Sequence, residues 1–215
     1  MLKFFITLGI FSVSLIVFMI VTGQQSSMKD TKLTIVTTFY PITTLIEPVV
    51  GEAATVVQLV PAGQGPHDYR PKPSDIETIK NADWLIMNGA GLENEWIDSL
   101  LTAAGRRDLR ILNLADVVVA SELPLIRLDK EGEADLNIDP HLWLAPRTVG
   151  VIVSALADEL KTVDPAQAST YRTNAETFSA RLSELDLEIT QRVASFSSRT
   201  FIAFHDAFSY FSRDY

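Results

Sequence analysis

The first half of this chain alternates short apolar runs with helical segments, and this alternation constrains the fold more than any other feature of the sequence. We predict strands over 32–37, 55–60, 84–88 and 110–114. Consecutive apolar and β-branched residues, as in 32–37, are typical of a strand that is covered on both faces. Repeated strand–helix units predict an α/β fold with a parallel sheet.

Helices are predicted between these strands, over 41–50, about 74–82 and 93–104. Gly51 stands at the C-terminal capping position of the first helix. The segment 61–73 is rich in proline and glycine and cannot be helical. The sequence Ser-Asp-Ile-Glu at 74–77 has the form of a capping box, which predicts the start of the second helix there.

The second half is predicted to be mostly helical. Pro146 suits the first position of a helix over 146–162, in which apolar residues recur at spacings of three and four. A further helix follows from 164 to about 194, and 200–204 has the pattern of a buried strand. A single strand leaves its backbone groups unpaired. We therefore expect either a C-terminally truncated protein or an incomplete second lobe.

The N-terminus predicts export. Lys3 precedes a nearly unbroken apolar run over 4–21, which resembles a Sec-type signal peptide spanning 1–23 with cleavage after Gly23. The run is also near the roughly 20 residues that span a membrane, so an uncleaved anchor is the alternative. In both cases the remainder lies outside the cytoplasm, and we expect a periplasmic protein.

The amino-acid composition limits the classes of ligand that the chain can bind. Asp and Glu number 27 against 18 Lys and Arg, and a formal charge of -9 excludes nucleic-acid binding and favours cationic ligands. The chain has no cysteine, which excludes disulfides, thiolate zinc sites and a lipid anchor on an N-terminal cysteine. Any bound metal must therefore be held by nitrogen and oxygen atoms.

The chain has three histidines, and each is predicted to lie in a loop or at a strand end: His67, His141 and His205. Ligands bind beyond the carboxyl ends of strands in open α/β sheets. Three imidazoles with one oxygen donor would suit tetrahedral zinc. Gaps of 74 and 64 residues carry no local ligand signature, however, and a single loop histidine is usually solvated, so both interpretations stay open at this point.

Aspartates, tryptophans and glutamates elsewhere in these segments are predicted to have structural roles. The adjoining aspartates could orient the imidazole rings, but aspartate in turns or before proline is commonplace, so we treat them as turn residues: Asp68, Asp139 and Asp206. The tryptophans are assigned to packing: Trp84, Trp96 and Trp143. Glu93 and Glu95 are expected at a solvated helix start.

Five segments, in order, resemble the metal-binding solute-binding proteins of ABC importers, the ZnuA/TroA-like family. They are 36–41, 65–69 with 73–75, 88–89 with 91–93, 139–144, and 204–211. The resemblance covers nearly the whole exported part. It implies a non-enzymatic, monomeric protein that captures a divalent metal ion and delivers it to an ABC permease in the inner membrane.

The resemblance also implies a two-lobe periplasmic-binding-protein-like fold with parallel sheets. Its parts would be an N-terminal α/β metal-binding lobe over 32–145, a linking helix over 146–163 and a partial C-terminal α/β lobe over 164–215. His67 and His141 would be ligands from the first lobe and His205 from the second. The family's fourth ligand, usually a carboxylate much later in the chain, has no counterpart here.

The transported metal is expected to be Zn²⁺. Manganese-type members of the family tend to carry a carboxylate where His205 stands, and imidazole suits zinc better than manganese. Zinc members often carry a histidine-rich acidic loop, and the matching stretch 125–139 has no histidine, which leaves Mn²⁺ or Fe²⁺ open. An adhesin of the same fold and a secreted zinc hydrolase are the other candidates, although the sequence has no His-Glu-x-x-His motif.

Overall fold

The computed structural model describes residues 32–128 and 138–215. The predicted signal peptide 1–23 and positions 129–137 of the acidic stretch lie outside the described residues. Lys32–Tyr215 forms one compact unit. Every helix that the structure describes is too short or too polar to cross a bilayer.

Four parallel strands form the sheet, in the order β2-β1-β3-β4. They are β1 Leu33–Thr37, β2 Ala54–Gln58, β3 Trp84–Met87 and β4 Arg110–Asn113. Val36 in β1 is fully buried and pairs with Val57 on one side and Leu85 on the other. The predicted parallel α/β sheet is confirmed. The connections run in opposite directions on either side of β1, so a crevice is expected at the carboxyl ends of β1 and β3.

Helices follow each strand of the sheet: α1 Tyr40–Val50, α2 Pro73–Lys80, α3 Ile97–Ala104 and α4 Leu114–Ala120. Gly51 ends α1 as predicted, with φ of 51°. The predicted capping box is displaced, because α2 begins at Pro73 and the Lys72 backbone N–H donates to Asp75 Oδ2 at 2.6 Å. The helix predicted from residue 93 begins only at Ile97.

Two long helices, α5 Pro146–Val163 and α6 Ala168–Ala194, pack against each other and against α1. Pro146 is the first residue of α5, as predicted. The buried stripe of α5 contains the apolar positions that the spacing indicated: Val149, Ile152, Val153, Leu156 and Leu160. α6 reaches α1 through Asn174, whose Nδ2 donates to the Val49 carbonyl at 3.1 Å. The lobe boundaries and the linking role of α5 stay predictions.

The strand predicted over 200–204 is wrong. This segment is irregular, and the side chains of Phe201, Ile202 and Phe204 are exposed. Among the described residues, β-pairing after β4 is limited to an isolated bridge between Arg127 and Ile138. A β-branched and aromatic run forms a strand only where a neighbouring strand completes its hydrogen bonds. The segment instead leads into a short last helix, α7 Ser209–Asp214.

Candidate metal centre

The fold brings the three histidines together. One possible ligand atom from each of His67, His141 and His205 lies within 4.8 Å of the others, and this is the one cluster of its kind in the described ranges. Nε2 of His141 and Nε2 of His205 are 2.9 Å apart. The ring centroids are separated by 4.8 to 6.0 Å. The gaps of 74 and 64 residues are thus closed by tertiary structure.

His141 is the most firmly held of the three. Its side chain is buried, and Asp139 Oδ1 lies 2.6 Å from its Nδ1 and 2.9 Å from its backbone nitrogen. A carboxylate beside Nδ1 favours the tautomer with the proton on that nitrogen, which leaves the lone pair of Nε2 free for a metal. The treatment of Asp139 as a turn residue was therefore wrong, since this fully buried side chain orients the ring.

The charge state of Asp139 supports this role. Burial alone would raise the pKa of the Asp139 carboxyl, but hydrogen bonds from the His141 ring, the Ser209 side chain and the His141 backbone outweigh burial and lower the pKa. The carboxylate is therefore ionised at neutral pH. An ionised acceptor makes the ligand imidazole more basic and holds its plane.

His67 lies in the loop between β2 and α2, and two aromatic residues anchor that loop. Trp96 Nε1 donates to the Pro66 carbonyl at 3.1 Å, immediately before His67. Tyr69 packs edge-on against Trp96 at 5.3 Å, and its hydroxyl donates to Asp75 Oδ2 at 2.7 Å. The start of α2 and the start of α3 therefore fix the loop from two directions.

The pKa of His67 is lowered from its ordinary value of 6.5. Burial is the main cause, and the nearby His141 and His205 lower the pKa further, because each added positive charge in the cluster repels the next. Asp68 acts in the opposite direction but does not prevail. Lowering keeps the imidazole neutral at physiological pH, which is the form that binds metals.

His205 is held differently. It is exposed and lies in the irregular segment before α7, not at the end of a strand as the sequence predicted. The following helix docks beside the site, because the buried Tyr210 hydroxyl donates to the Asp139 carbonyl at 2.9 Å. The Tyr210 hydroxyl oxygen also accepts a hydrogen bond from the Ile126 backbone N–H at 3.2 Å. Tyr210 therefore connects the segment that carries His205 to the loop that carries His141.

Two clefts open onto the histidine cluster. One has a volume of ≈ 370 Å³ and includes the apolar residues Phe39, Val60 and Trp143 in its wall. The other, of ≈ 650 Å³, includes Asp68 and Asp206. Three imidazoles with access from both sides can hold one cation and leave a further coordination position open to a carboxylate or water.

Two buried polar residues near the site were missed from the sequence. Glu93 was expected at a solvated helix start, but its side chain is fully buried and hydrogen bonded. Asn88 is also fully buried and reaches the Pro140 carbonyl. The packing interpretation is confirmed for all three tryptophans: Trp84 and Trp96 are almost completely buried, and the partly buried Trp143 packs against the core and against the His141 ring at 5.2 Å.

The chain is similar in sequence to known metal-binding proteins. Residues 35–215 match the family model ZnuA, described as the periplasmic component A of the zinc-uptake complex. The chain is 35% identical over 196 residues to the manganese-binding lipoprotein MntA of Halalkalibacterium halodurans. It is 28% identical over 211 residues to the zinc-binding lipoprotein AdcA of Streptococcus pneumoniae.

These matches cover most of this chain but only part of the relatives. The alignments take in 90% and 94% of this chain, and the chain spans 61% of the length of MntA and 41% of the length of AdcA. A crystal structure of ZnuA superposes with a TM-score of 0.75 at 29% identity, over 86% of this chain and 69% of that one. The fold of the described residues is therefore the periplasmic-binding-protein-like fold that the resemblance implied.

Proposed function

The chain belongs to the family of periplasmic zinc-uptake component A proteins, and on that premise we propose that it captures a divalent transition metal and delivers it to an ABC-type permease. The metal is cargo rather than a resident cofactor, and Zn²⁺ is the ion we expect first. The observation that supports this most is the convergence of His67, His141 and His205, with donor atoms within 4.8 Å.

The chemistry of the site fits a cation that is bound reversibly. Burial, together with the neighbouring His141 and His205, lowers the pKa of His67, which keeps this imidazole in the neutral form that binds metals. Zinc ligands of this kind are typically oriented by a carboxylate on the second ring nitrogen, as Asp139 does for His141. The open approach from two clefts lets an ion enter and leave without passing through the core.

Manganese is the second candidate, because the relative MntA, at 35% identity, is named for manganese. Three nitrogen donors favour zinc, whereas manganese prefers oxygen ligands. Stronger binding of zinc than of manganese is expected at almost any such site, so a simple affinity ratio does not identify the cargo. The informative result is whether Mn²⁺ binds at all when zinc is removed.

We further propose that the protein acts outside the cytoplasm as a monomer, without catalytic activity. The family description, periplasmic component of an uptake complex, supports the location and the permease as partner. The acidic balance of the chain, with a formal charge of -9, suits the approach of a divalent cation.

Binding is tested with the purified full chain. Zinc at about 100 times its dissociation constant should raise the free energy of unfolding by about 2.7 kcal/mol, which appears as a higher melting temperature. His67→Ala, His141→Ala and His205→Ala should each reduce the shift. Arg70→Ala, an exposed change in the loop of His67 that lines neither cleft, is the matched control and should keep it.

Binding by all three histidine variants equal to that of the parent would show that the site is elsewhere. Cargo and delivery are tested by uptake of ⁶⁵Zn and ⁵⁴Mn in a bacterial host that lacks its own binding protein and expresses the full chain with the cognate permease. Uptake of zinc that His141→Ala abolishes is the expected result. Uptake of manganese alone would assign the cargo to the second candidate.

A further inference from the structure

A buried carboxylate joins the ends of two strands beneath the site. Glu93 Oε1 accepts from the Thr38 hydroxyl at 2.8 Å and from the Asn88 backbone N–H at 2.8 Å. Its Oε2 accepts from the Gly89 backbone N–H at 3.0 Å. Thr38 follows β1 and Asn88 follows β3, so one side chain fixes the carboxyl ends of both strands at the point where the strand order reverses.

The backbone between Asn88 and Glu93 is shaped to allow this contact. Gly89, Ala90 and Gly91 have φ of 76°, 53° and 84°, a left-handed run that turns the chain back toward the sheet. Such a run is unfavourable for residues with a side chain, and Ala90 adopts it nevertheless. At Gly89 a Cβ would lie 1.9 Å from the Asn113 Oδ1 atom, so the position has room for glycine alone.

Asn88 connects this hydrogen-bond network to the histidine cluster. Its Nδ2 donates to the Pro140 carbonyl at 2.8 Å and to the Gly89 carbonyl at 3.0 Å. Both partners are acceptors, so the orientation of the amide is fixed. Its Oδ1 is buried with no hydrogen-bond partner among the described residues. Burying an unpaired amide oxygen costs free energy, and the two hydrogen bonds that Nδ2 donates offset part of that cost.

We propose that Asn88 is a positioning residue for His141, with Glu93 holding Asn88 in place. The Pro140 carbonyl belongs to the peptide unit directly before His141, so the Asn88 amide fixes the backbone of that histidine. Asp139 fixes the ring through Nδ1. The two contacts are independent and together leave His141 little freedom, which places its Nε2 before a metal arrives. The inference rests on the proposed function, because the role of Asn88 is defined by metal binding at His141.

The change in metal affinity on replacement distinguishes a positioning residue from a residue that only packs in the core. Residues that orient metal ligands typically change metal affinity by about 10- to 100-fold when they are replaced. A residue that only fills the core lowers stability and leaves affinity unchanged while the chain is folded. Metal affinity at a temperature well below the melting point is therefore the readout that distinguishes the two roles.

The test uses the full chain and two metals. Asn88→Ser keeps a small polar group that is too short to reach Pro140, and it should weaken Zn²⁺ binding about 10-fold. Co²⁺ bound in place of zinc should also show changed visible absorption bands, since these report ligand geometry. Leu160→Ala, a buried position near the end of α5, is the control and should lower the melting temperature without altering either measurement.

The outcomes are distinct. Unchanged zinc affinity and cobalt spectrum in Asn88→Ser, with a lower melting temperature, would reduce Asn88 to a packing residue and overturn the inference while leaving the proposed function intact. If Asn88→Ser does not fold, Asn88→Thr, a neutral residue of nearly the same size whose hydroxyl is also too short to reach Pro140, takes the same test, with the same loss of affinity expected. A parent chain that binds neither metal would overturn both proposals.

Discussion

The loop that carries His141 and the segment that carries His205 reach the same point by different means. His141 is buried, its ring is fixed by Asp139 and its backbone by Asn88. His205 is exposed, and the apolar residues before it, including Ile202 and Phe204, are exposed as well. One proposed ligand is therefore built into the α/β core, and the position of the other depends on how a surface segment docks.

The docking of that segment rests on α7. Tyr210 joins it to Asp139 and Ile126, and Arg213 adds donations to the Pro124 carbonyl at 3.2 Å and the Thr148 hydroxyl at 3.3 Å. A site with one half in the buried core and the other half in a surface segment can be assembled in the core and completed when the surface segment docks. This arrangement suits the capture and release of a metal ion that we propose for this protein.

Replacing His141 or His205 by alanine should give the largest difference between the two regions. His141→Ala should weaken zinc binding by more than about 100-fold and also lower the free energy of unfolding of the metal-free chain by about 1–3 kcal/mol, because the buried Asp139 loses the imidazole, one of its donors. His205→Ala should weaken zinc binding too, but should change metal-free stability by less than about 0.5 kcal/mol. Denaturant unfolding and zinc titration of both variants measure these effects, and equal losses of stability would contradict the contrast.

The carboxylate beside His141 should come next in effect. Asp139→Asn removes the charge that orients the ring and should weaken zinc binding by about 10- to 100-fold. Asp164→Asn is the matched control, since Asp164 also accepts a hydrogen bond at 2.7 Å, from the Tyr171 hydroxyl away from the site. Competition with a zinc chelator gives both affinities, and an Asp139→Asn protein that binds like the parent would refute the orienting role.

The docking of α7 should have a smaller effect. Tyr210→Phe removes the hydroxyl that links α7 to Asp139 and should lower the free energy of unfolding by about 1–2 kcal/mol. Zinc binding should weaken about fivefold, because fewer molecules hold His205 in the competent position. Tyr171→Phe removes a hydroxyl from another fully buried tyrosine and should lower stability without changing zinc binding. The same loss of zinc affinity in both variants would mean that docking is not specific to the site.

The effect of pH should be the smallest. The pKa of His67 is below 6.5 in the folded chain, so as pH falls through 6.5 the unfolded chain takes up a proton first. Metal-free stability should therefore decrease between pH 6.5 and the lower pKa of the folded state, and zinc affinity should decrease as pH falls toward and below that lower pKa, where the folded chain takes up the proton. His67→Ala should remove part of the slope in stability. Denaturant unfolding at pH 8, 7, 6 and 5 compares the two proteins, and identical slopes would contradict the assignment.

Much of the α/β core could be predicted from the sequence. The four strands and α5 follow from runs of apolar residues and from helical spacing, which are local signals. Gly51 and Pro146 were correctly placed because capping depends on neighbouring residues. The resemblance to a known family named the three histidines, although spacing alone did not predict that they meet.

The errors share one physical cause, which is dependence on distant partners. Glu93 was predicted to be solvated, but it is buried, and its carboxylate accepts a hydrogen bond from Thr38, 55 positions away. The strand over 200–204 was predicted from its residue types, yet a strand requires neighbours that the described residues do not provide. Asp139 before a proline is indistinguishable from a turn residue until the position of the His141 ring is known.

X-ray absorption at the zinc edge of the loaded chain tests the central claim most directly. The account predicts three imidazole nitrogens at about 2.0–2.1 Å, with the multiple-scattering pattern of histidine rings, and a loss of imidazole scattering in His141→Ala. A zinc ion surrounded by oxygen atoms, with at most one imidazole, would contradict it.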